Sequence, residues 1–168
     1  LEALPESIRK AFIVRTDPRD HGWDQEERWA DRVPDVNVDD GKCKLNDLVQ
    51  EARLCVATAN TTIFQQAFLM DIPTIIVWDT SHWQLRKSAQ NTFDRLTDAG
   101  IFHTDPDKAA LHVKSIWEDT EKWWRSEEVE SAVDYFNSQY NWGPDGLVVR
   151  MGRALTEMSA RGQDTYVD

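Results

Sequence analysis

The sequence is short of the residue types that define several protein classes. It has only two cysteines, Cys43 and Cys55, which cannot form a disulfide framework or supply four zinc ligands. No apolar run approaches the roughly 18 residues that a membrane-spanning helix needs, and no signal peptide is recognisable. We therefore expect a cytoplasmic location.

The sequence also lacks runs of basic residues. Its 19 Lys and Arg are outnumbered by 30 Asp and Glu, so the 168 residues carry a formal net charge of −11. Such a chain repels a phosphate backbone unless a local basic stripe overrides the field. Nucleic acid is therefore not an expected partner, although a small anion held by a few arginines is compatible with this charge.

What is present is enough apolar sequence for one folded core, with 40% hydrophobic residues and eight tryptophans. Short apolar runs alternate with helical patterns, and residues 54–77 form a strand, a capped helix, a turn containing proline and a second strand. This order predicts an α/β fold with a mostly parallel sheet flanked by helices. Strands are predicted at 11–14, 36–38, 54–57, 74–77 and 101–103, and helices at 1–9, 23–32, 45–52 (capped by Asn46 or Asp47), 63–70, 88–99, 107–124, 126–141 and 147–160.

Ligands of open α/β sheets bind beyond the carboxyl ends of the strands. Three polar loops follow predicted strands, and we expect them to open on the same edge of the sheet. The first carries Arg15, Asp17, Arg19, Asp20 and His21, the second Asn60, Thr61 and Thr62, and the third Trp78, Asp79, Ser81, His82, Trp83 and Arg86.

The second loop is suited to a phosphate. It leads into a helix, whose N–H groups and dipole favour an anion, and the threonine hydroxyls add donors. An ordinary helix cap explains the same residues. Arg15, Arg19 and Arg86 favour the phosphate interpretation, because they can bring positive charge to the same cleft.

The first and third loops carry the catalytic candidates, His82 and His21, since imidazole titrates near neutrality. Trp78 and Trp83 are positioned to stack on a base or a sugar. The alternative is that both tryptophans cover the core, that Asp79 and Ser81 cap the next helix, and that His21 is solvated. We assign the remaining tryptophans to packing, and His103 and His112 to the core or the surface.

Residues 12–142 resemble a known family. Asn60-Thr61-Thr62, Ile72-Pro73-Thr74, Trp78-Asp79 with Ser81-His82-Trp83, Ala99-Gly100-Ile101-Phe102-His103, and Trp117 with Trp123-Trp124 look like bacterial transferases of O-antigen and other surface-carbohydrate synthesis. More broadly, residues 54–83 resemble the C-terminal, nucleotide-sugar-binding domain of GT-B glycosyltransferases.

The resemblance implies a Rossmann-like domain that binds a nucleotide-sugar donor with no metal and no cofactor. It also implies a location in the cytoplasm, at most peripheral at the inner face of the plasma membrane. Thr61 would start the helix under the donor phosphates. Gln66 takes the place of an acid that contacts the ribose. Arg15, Arg19, His21, His82 and Arg86 would face the phosphates.

The resemblance also implies a division of the chain. Residues 1–125 would form the donor-binding domain, 126–160 helices that pack on it or toward an N-terminal domain, and 161–168 a flexible tail. Because the sequence starts directly at a predicted helix, we expect the first strand and the acceptor domain, with the catalytic base, to lie outside it. A glycan or lipid-linked glycan would be the acceptor, and the isolated chain would be inactive. The alternative is a non-catalytic nucleotide or sugar-phosphate binding module.

Overall fold

A computed structural model describes residues 1, 3–17, 19, 21–39, 41–141 and 147–163. The helices and strands follow one another as α1 (Glu6–Arg9), β1 (Ile13–Arg15), α2 (Gln25–Arg32), β2 (Asn37–Asp39), α3 (Leu45–Glu51), β3 (Cys55–Ala57), α4 (Thr62–Leu69), β4 (Thr74–Val77), α5 (Gln90–Asp98), β5 (Phe102–His103), α6 (Pro106–Ile116), α7 (Thr120–Trp124), α8 (Glu127–Tyr140) and α9 (Leu147–Gln163). Single turns of 3-10 helix precede α5 and α7.

All described strand pairs are parallel, which confirms the predicted α/β fold of parallel strands flanked by helices. The strands form two ladders rather than one sheet: β1 pairs with β2, and β4 lies between β3 and β5. The first pair, Ile-Val-Arg beside Asn-Val-Asp, has too few apolar side chains to be buried on both faces, as the middle strand of a parallel sheet must be.

The central strand β4 connects two hydrophobic clusters. Successive strand side chains point to opposite faces. Ile76 joins a cluster with α4, α5 and α8, whereas Ile75 joins a smaller one with Leu4 and Ile8 near the N-terminus and with α6. Both isoleucines have no exposed surface. The three-stranded sheet is therefore covered by helices on both sides.

The larger cluster is aromatic. Phe136 of α8 makes edge contacts with Phe64, Phe68 and Phe93, with ring centroids 5.6, 5.3 and 6.2 Å away. Edge-to-face geometry at these separations is favourable beyond the area buried. Helix α8 thus packs in the same core as the sheet.

Local interactions move several predicted boundaries. The single helix predicted at 107–124 is interrupted after Ile116, where the Asp119 carboxylate accepts a hydrogen bond from the Lys122 N–H (3.1 Å) and starts α7. The helix predicted at 1–9 covers only α1, which has Pro5 as its N-cap. The prediction that Asn46 or Asp47 caps the third helix is wrong, because both lie inside α3.

Some predictions concern residues beyond the described ranges. Asp20 of the first loop and the break at Gly143-Pro144-Asp145-Gly146 lie outside the described residues, and the tail expected at 161–168 is described only as far as Gln163, within α9.

Candidate functional site

The second and third loops leave the sheet side by side. Ala57 at the end of β3 is in register with Ile76 of β4, so both strands deliver their loops to the same edge. Phe64, in the first turn of α4, contacts the ring of Trp78 at the start of the third loop (6.0 Å). The second and third loops therefore emerge together, as their positions after parallel strands predict.

The start of α4 is open to solvent. Thr61 is the N-cap residue, but its side chain accepts no hydrogen bond from the first turn of the helix. Asn60, Thr61 and Thr62 are at least partly exposed, and Gln66 is exposed one turn later. The first N–H groups of an α-helix have no partner within the helix. Because the residues that lead into the helix are exposed, an anion can approach this end of it.

Asp79 organises the third loop. Its Oδ1 accepts a hydrogen bond from the Ser81 N–H (2.7 Å), which holds the pKa of Asp79 below its ordinary value. Its Oδ2 lies 3.3 Å from Nδ1 of His82, and the Ser81 hydroxyl lies 3.3 Å from the same nitrogen. With 78% of its side chain exposed, His82 presents the rest of its ring to solvent. Asp79 and Ser81 thus act locally, and their contacts orient His82.

Arg86 and Trp83 complete this loop. Both are exposed, Trp83 by 47%. Within the part of the chain that the structure describes, no ion pair or side-chain hydrogen bond of Arg86 is found. Its guanidinium is available to an incoming anion.

Trp78 does not lie at the mouth of the loop. Only 4% of it is exposed, and its ring contacts Phe64, Phe93 and Phe102. The expectation that Trp78 stacks on a ligand is therefore wrong. The alternative holds for this residue: it covers the core and fixes the start of the third loop against α4.

The first loop belongs to the other ladder. Arg15, at the end of β1, forms an ion pair with Asp39 at the end of β2 and donates a hydrogen bond to the Cys43 carbonyl (3.1 Å). The Arg19 N–H donates to the Asp17 carboxylate (2.9 Å). Much of the positive charge of Arg15 is thus neutralised within the protein.

His21 lies between a carboxylate and an indole. Its Nε2 is 3.7 Å from Asp17 Oδ2, and its ring is 4.6 Å from that of Trp23. Trp23, which was expected to serve packing, is 57% exposed. A tryptophan directly after a loop glycine and before the run Asp-Gln-Glu-Glu is the signal that could have identified it as a surface residue.

The first loop and the start of α2 border a cleft of about 560 Å³. Arg15 and Arg19 line it, but Thr61, His82 and Arg86 are not among its described lining residues. The three loops thus do not form one cleft. The structure separates an acidic cleft at β1 and β2 from the open edge of β3 and β4.

Comparison with known families places the chain. The sequence model of the LIC12162 family transferases matches residues 1–151. The chain belongs to the LIC12162 family of transferases. No match is found among curated proteins or among solved structures.

The stretch shared with the LIC12162 family includes every candidate residue. Both histidine-bearing loops and the start of α4 lie inside residues 1–151, and the match ends in the first turns of α9. In the described part of this LIC12162 family chain, no cluster of three or more His, Cys, Asp or Glu side chains has the arrangement to hold a metal ion. Nor does any described helix combine the length and apolarity needed to cross a membrane.

Proposed function

We propose that this chain is the donor-binding portion of a glycosyltransferase that takes its sugar from a nucleotide-activated donor, in the synthesis of bacterial surface polysaccharide. The transferase family supports the reaction class. The observation that carries the donor site is the uncapped start of α4, which lies at the same sheet edge as the loop of Arg86. Backbone N–H groups, the helix dipole and an arginine together suit a diphosphate.

In this proposal the phosphates occupy the start of α4. The Thr61 and Thr62 hydroxyls and the Asn60 amide add neutral donors. Gln66 lies one helical turn beyond and accepts a hydrogen bond from a ribose hydroxyl through its amide oxygen. An amide brings no charge to that contact, so most of the affinity comes from the phosphates.

The same groups serve the transfer step. When the glycosidic bond to the donor breaks, negative charge develops on the departing nucleotide diphosphate, and fixed donors lower the energy of that state. Arg86 provides a permanent charge. His82, oriented by Asp79, provides a proton or a hydrogen bond. Arg15 is less suited, because Asp39 already neutralises it.

The acceptor and the catalytic base complete the proposal. A glycan or lipid-linked glycan would be presented by a domain outside this sequence, which would also supply the base, so that this chain alone binds donor without transferring sugar. A lipid-linked acceptor would bring the whole enzyme to the inner face of the membrane.

One observation favours a second function. Gln66, an exposed residue of α4, stands where the glycosyltransferases that this chain resembles carry an acid, and an amide brings no charge. A nucleotide or sugar-phosphate binding module without catalysis needs only the phosphate contacts. Sugar transfer by a longer protein that includes the acceptor domain would decide against the module.

The helix start is tested by two variants of Thr61. Thr61→Asp and Thr61→Asn both place a good capping residue on α4, but only aspartate puts a negative charge at the phosphate position. Calorimetry with nucleoside mono- and diphosphates should show binding at least about tenfold weaker for Thr61→Asp than for Thr61→Asn. Equal binding by the two variants contradicts the site.

Arg86 is tested with a matched control. Arg86→Ala should weaken diphosphate binding by roughly ten- to a hundredfold, the value of a charged hydrogen bond. Lys114→Ala removes the same charge from the last turn of α6 and should have no effect. If the unmodified chain binds none of the nucleotides, the donor site and the binding module are both refuted.

A further inference from the structure

The cleft beside β1 and β2 has the dimensions of a ligand site and a composition different from the proposed phosphate site. Its volume of about 560 Å³ is in the range of small-molecule pockets. Its walls come from the first loop, the start of α2 and the end of β2. The charged and aromatic lining residues are Arg15, Asp17, Arg19, Trp23, Asp24, Glu26, Glu27 and Asp39.

The charge of this cleft disfavours a phosphate. Among the described lining residues two arginines are outnumbered by five carboxylates, which gives these residues a formal charge of −3. The Arg15 guanidinium is already paired with Asp39. An anion entering here would meet uncompensated carboxylates at short range. A ligand of this cleft is therefore uncharged or cationic.

The aromatic wall further restricts the kind of ligand that fits this cleft. Trp23 is 57% exposed, although its ring is held at 4.6 Å from that of His21. An indole fixed at the wall of a cleft offers a flat apolar surface at small entropic cost. Carboxylates also attract cations, but among the described residues no cluster of three or more His, Cys, Asp or Glu side chains has the arrangement to hold a metal ion.

The carboxylate of Asp24, next to Trp23, has no capping role in α2. Asp24 is the N-cap residue, with a left-handed backbone (φ +48°), yet its side chain caps no N–H of the helix. Glu26 and Glu27 follow in the first turn. Ionised carboxylates only accept hydrogen bonds, and hydroxyl groups are donors that need no charge. Sugar rings combine such hydroxyls with an apolar C–H face.

We propose that this cleft is a carbohydrate subsite, in which a sugar ring packs on Trp23 and its hydroxyls donate to the carboxylates of Asp24, Glu26 and Glu27. The subsite is separate from the start of α4 and binds sugar without nucleotide. The origin of the ring is assigned on the basis of the proposed glycosyltransferase function. The ring is then either that of the donor or one unit of the acceptor glycan.

The test uses the chain with a panel of neutral sugars, comprising glucose, galactose, mannose, N-acetylglucosamine and their disaccharides. Saturation-transfer NMR and tryptophan fluorescence should detect binding of at least one. Trp23→Ala should weaken that binding at least about tenfold. Leu111→Ala removes an exposed apolar side chain of α6, without an assigned role in binding, and should leave it unchanged. Asp24→Asn tests the acceptors with little change of shape and should weaken binding as well.

Two further measurements identify the source of the ring. If Trp23→Ala weakens nucleotide-sugar binding but not binding of the nucleoside diphosphate, the ring is the donor's; if it weakens only disaccharide binding, the ring is the acceptor's.

Absence of sugar binding up to about 50 mM, a concentration well above a millimolar dissociation constant, would overturn the proposal. Equal loss with Leu111→Ala, or displacement of the sugar by inorganic phosphate, would overturn it too. Nucleotide titrations of Trp23→Ala distinguish a failure of this sugar subsite from a failure of the donor site at the start of α4.

Discussion

Gly100 connects α5 to β5 in a left-handed backbone conformation (φ +73°) with the ring of His112 against its α-carbon. A β-carbon at this position would lie 2.7 Å from Cε1 and 2.8 Å from Nε2 of that ring. The ring cannot move away freely, because it also contacts His103 and Trp123, at 5.3 and 5.2 Å between centroids. Gly100→Ala therefore tests whether this cluster is as tightly packed as its distances indicate.

The expected loss has two parts. Placing alanine in the left-handed region costs about 1–2 kcal/mol, and forcing an additional carbon into a packed cluster costs about 1–3 kcal/mol. The free energy of unfolding of Gly100→Ala should thus fall by about 2–5 kcal/mol. For a chain of this size that corresponds to a decrease in Tm of about 4–20 °C.

Two variants separate the backbone cost from the packing cost. Gly22 has a similar backbone (φ +69°), and a β-carbon added there would meet nothing within 4 Å, so Gly22→Ala should show only the backbone cost of about 1–2 kcal/mol. In the His112→Ala background, the loss of unfolding free energy caused by Gly100→Ala should also fall to this backbone cost. Urea unfolding followed by tryptophan fluorescence and far-UV circular dichroism measures the unmodified chain and each variant.

Equal losses for Gly100→Ala and Gly22→Ala would refute the reasoning. So would a cost of Gly100→Ala that is the same with and without the His112 ring, because the double-mutant cycle then finds no coupling between the two positions.

Three further predictions concern titratable groups. Burial lowers the pKa of His112 below its ordinary 6.5, so the stabilising contribution of the neutral ring is complete above pH 6.5 and is lost as the pH falls through the pKa of the folded state. The urea midpoint should therefore decrease toward pH 5, and it should decrease less in His112→Gln. An equal dependence of the midpoint on pH in both chains would contradict this. The Arg125 guanidinium holds the pKa of Asp71 below its ordinary 3.8, so this pair contributes above pH 3.8 and its contribution is lost below. Both side chains are more than a third exposed, so screening limits the cost of Asp71→Asn to about 1 kcal/mol in chemical denaturation, and a loss well above that would be inconsistent with a solvent-exposed pair. Burial raises the pKa of the Cys55 thiol to about 11, whereas Cys43 is exposed. A thiol reagent should therefore label Cys43 in the native chain and Cys55 only after unfolding. In Cys43→Ser only Cys55 is left to react, so rapid labelling of this folded variant would contradict the prediction.

The sequence predicted best where local pattern and burial agree. The apolar run at 74–77 and the threonine-led helix after residue 61 occur where they were expected, because a strand buried on both faces has few alternatives. Helix boundaries were less predictable, since caps such as that of Asp119 interrupt an apparently continuous helical pattern. The side-chain roles were the least predictable, because exposure of one tryptophan rather than another depends on distant contacts.

By itself, the sequence determined the α/β class, the parallel strand pairs and the polar residues at the ends of the strands, because hydrophobic periodicity and capping residues act over a few neighbours. Only the tertiary structure decided which of those residues lie together. It buried Trp78 under Phe64 and Phe93, exposed Trp23 in an acidic cleft, and paired Arg15 with Asp39. These outcomes follow from how separate segments pack and from which charges that packing brings into contact, and neither can be read from local sequence.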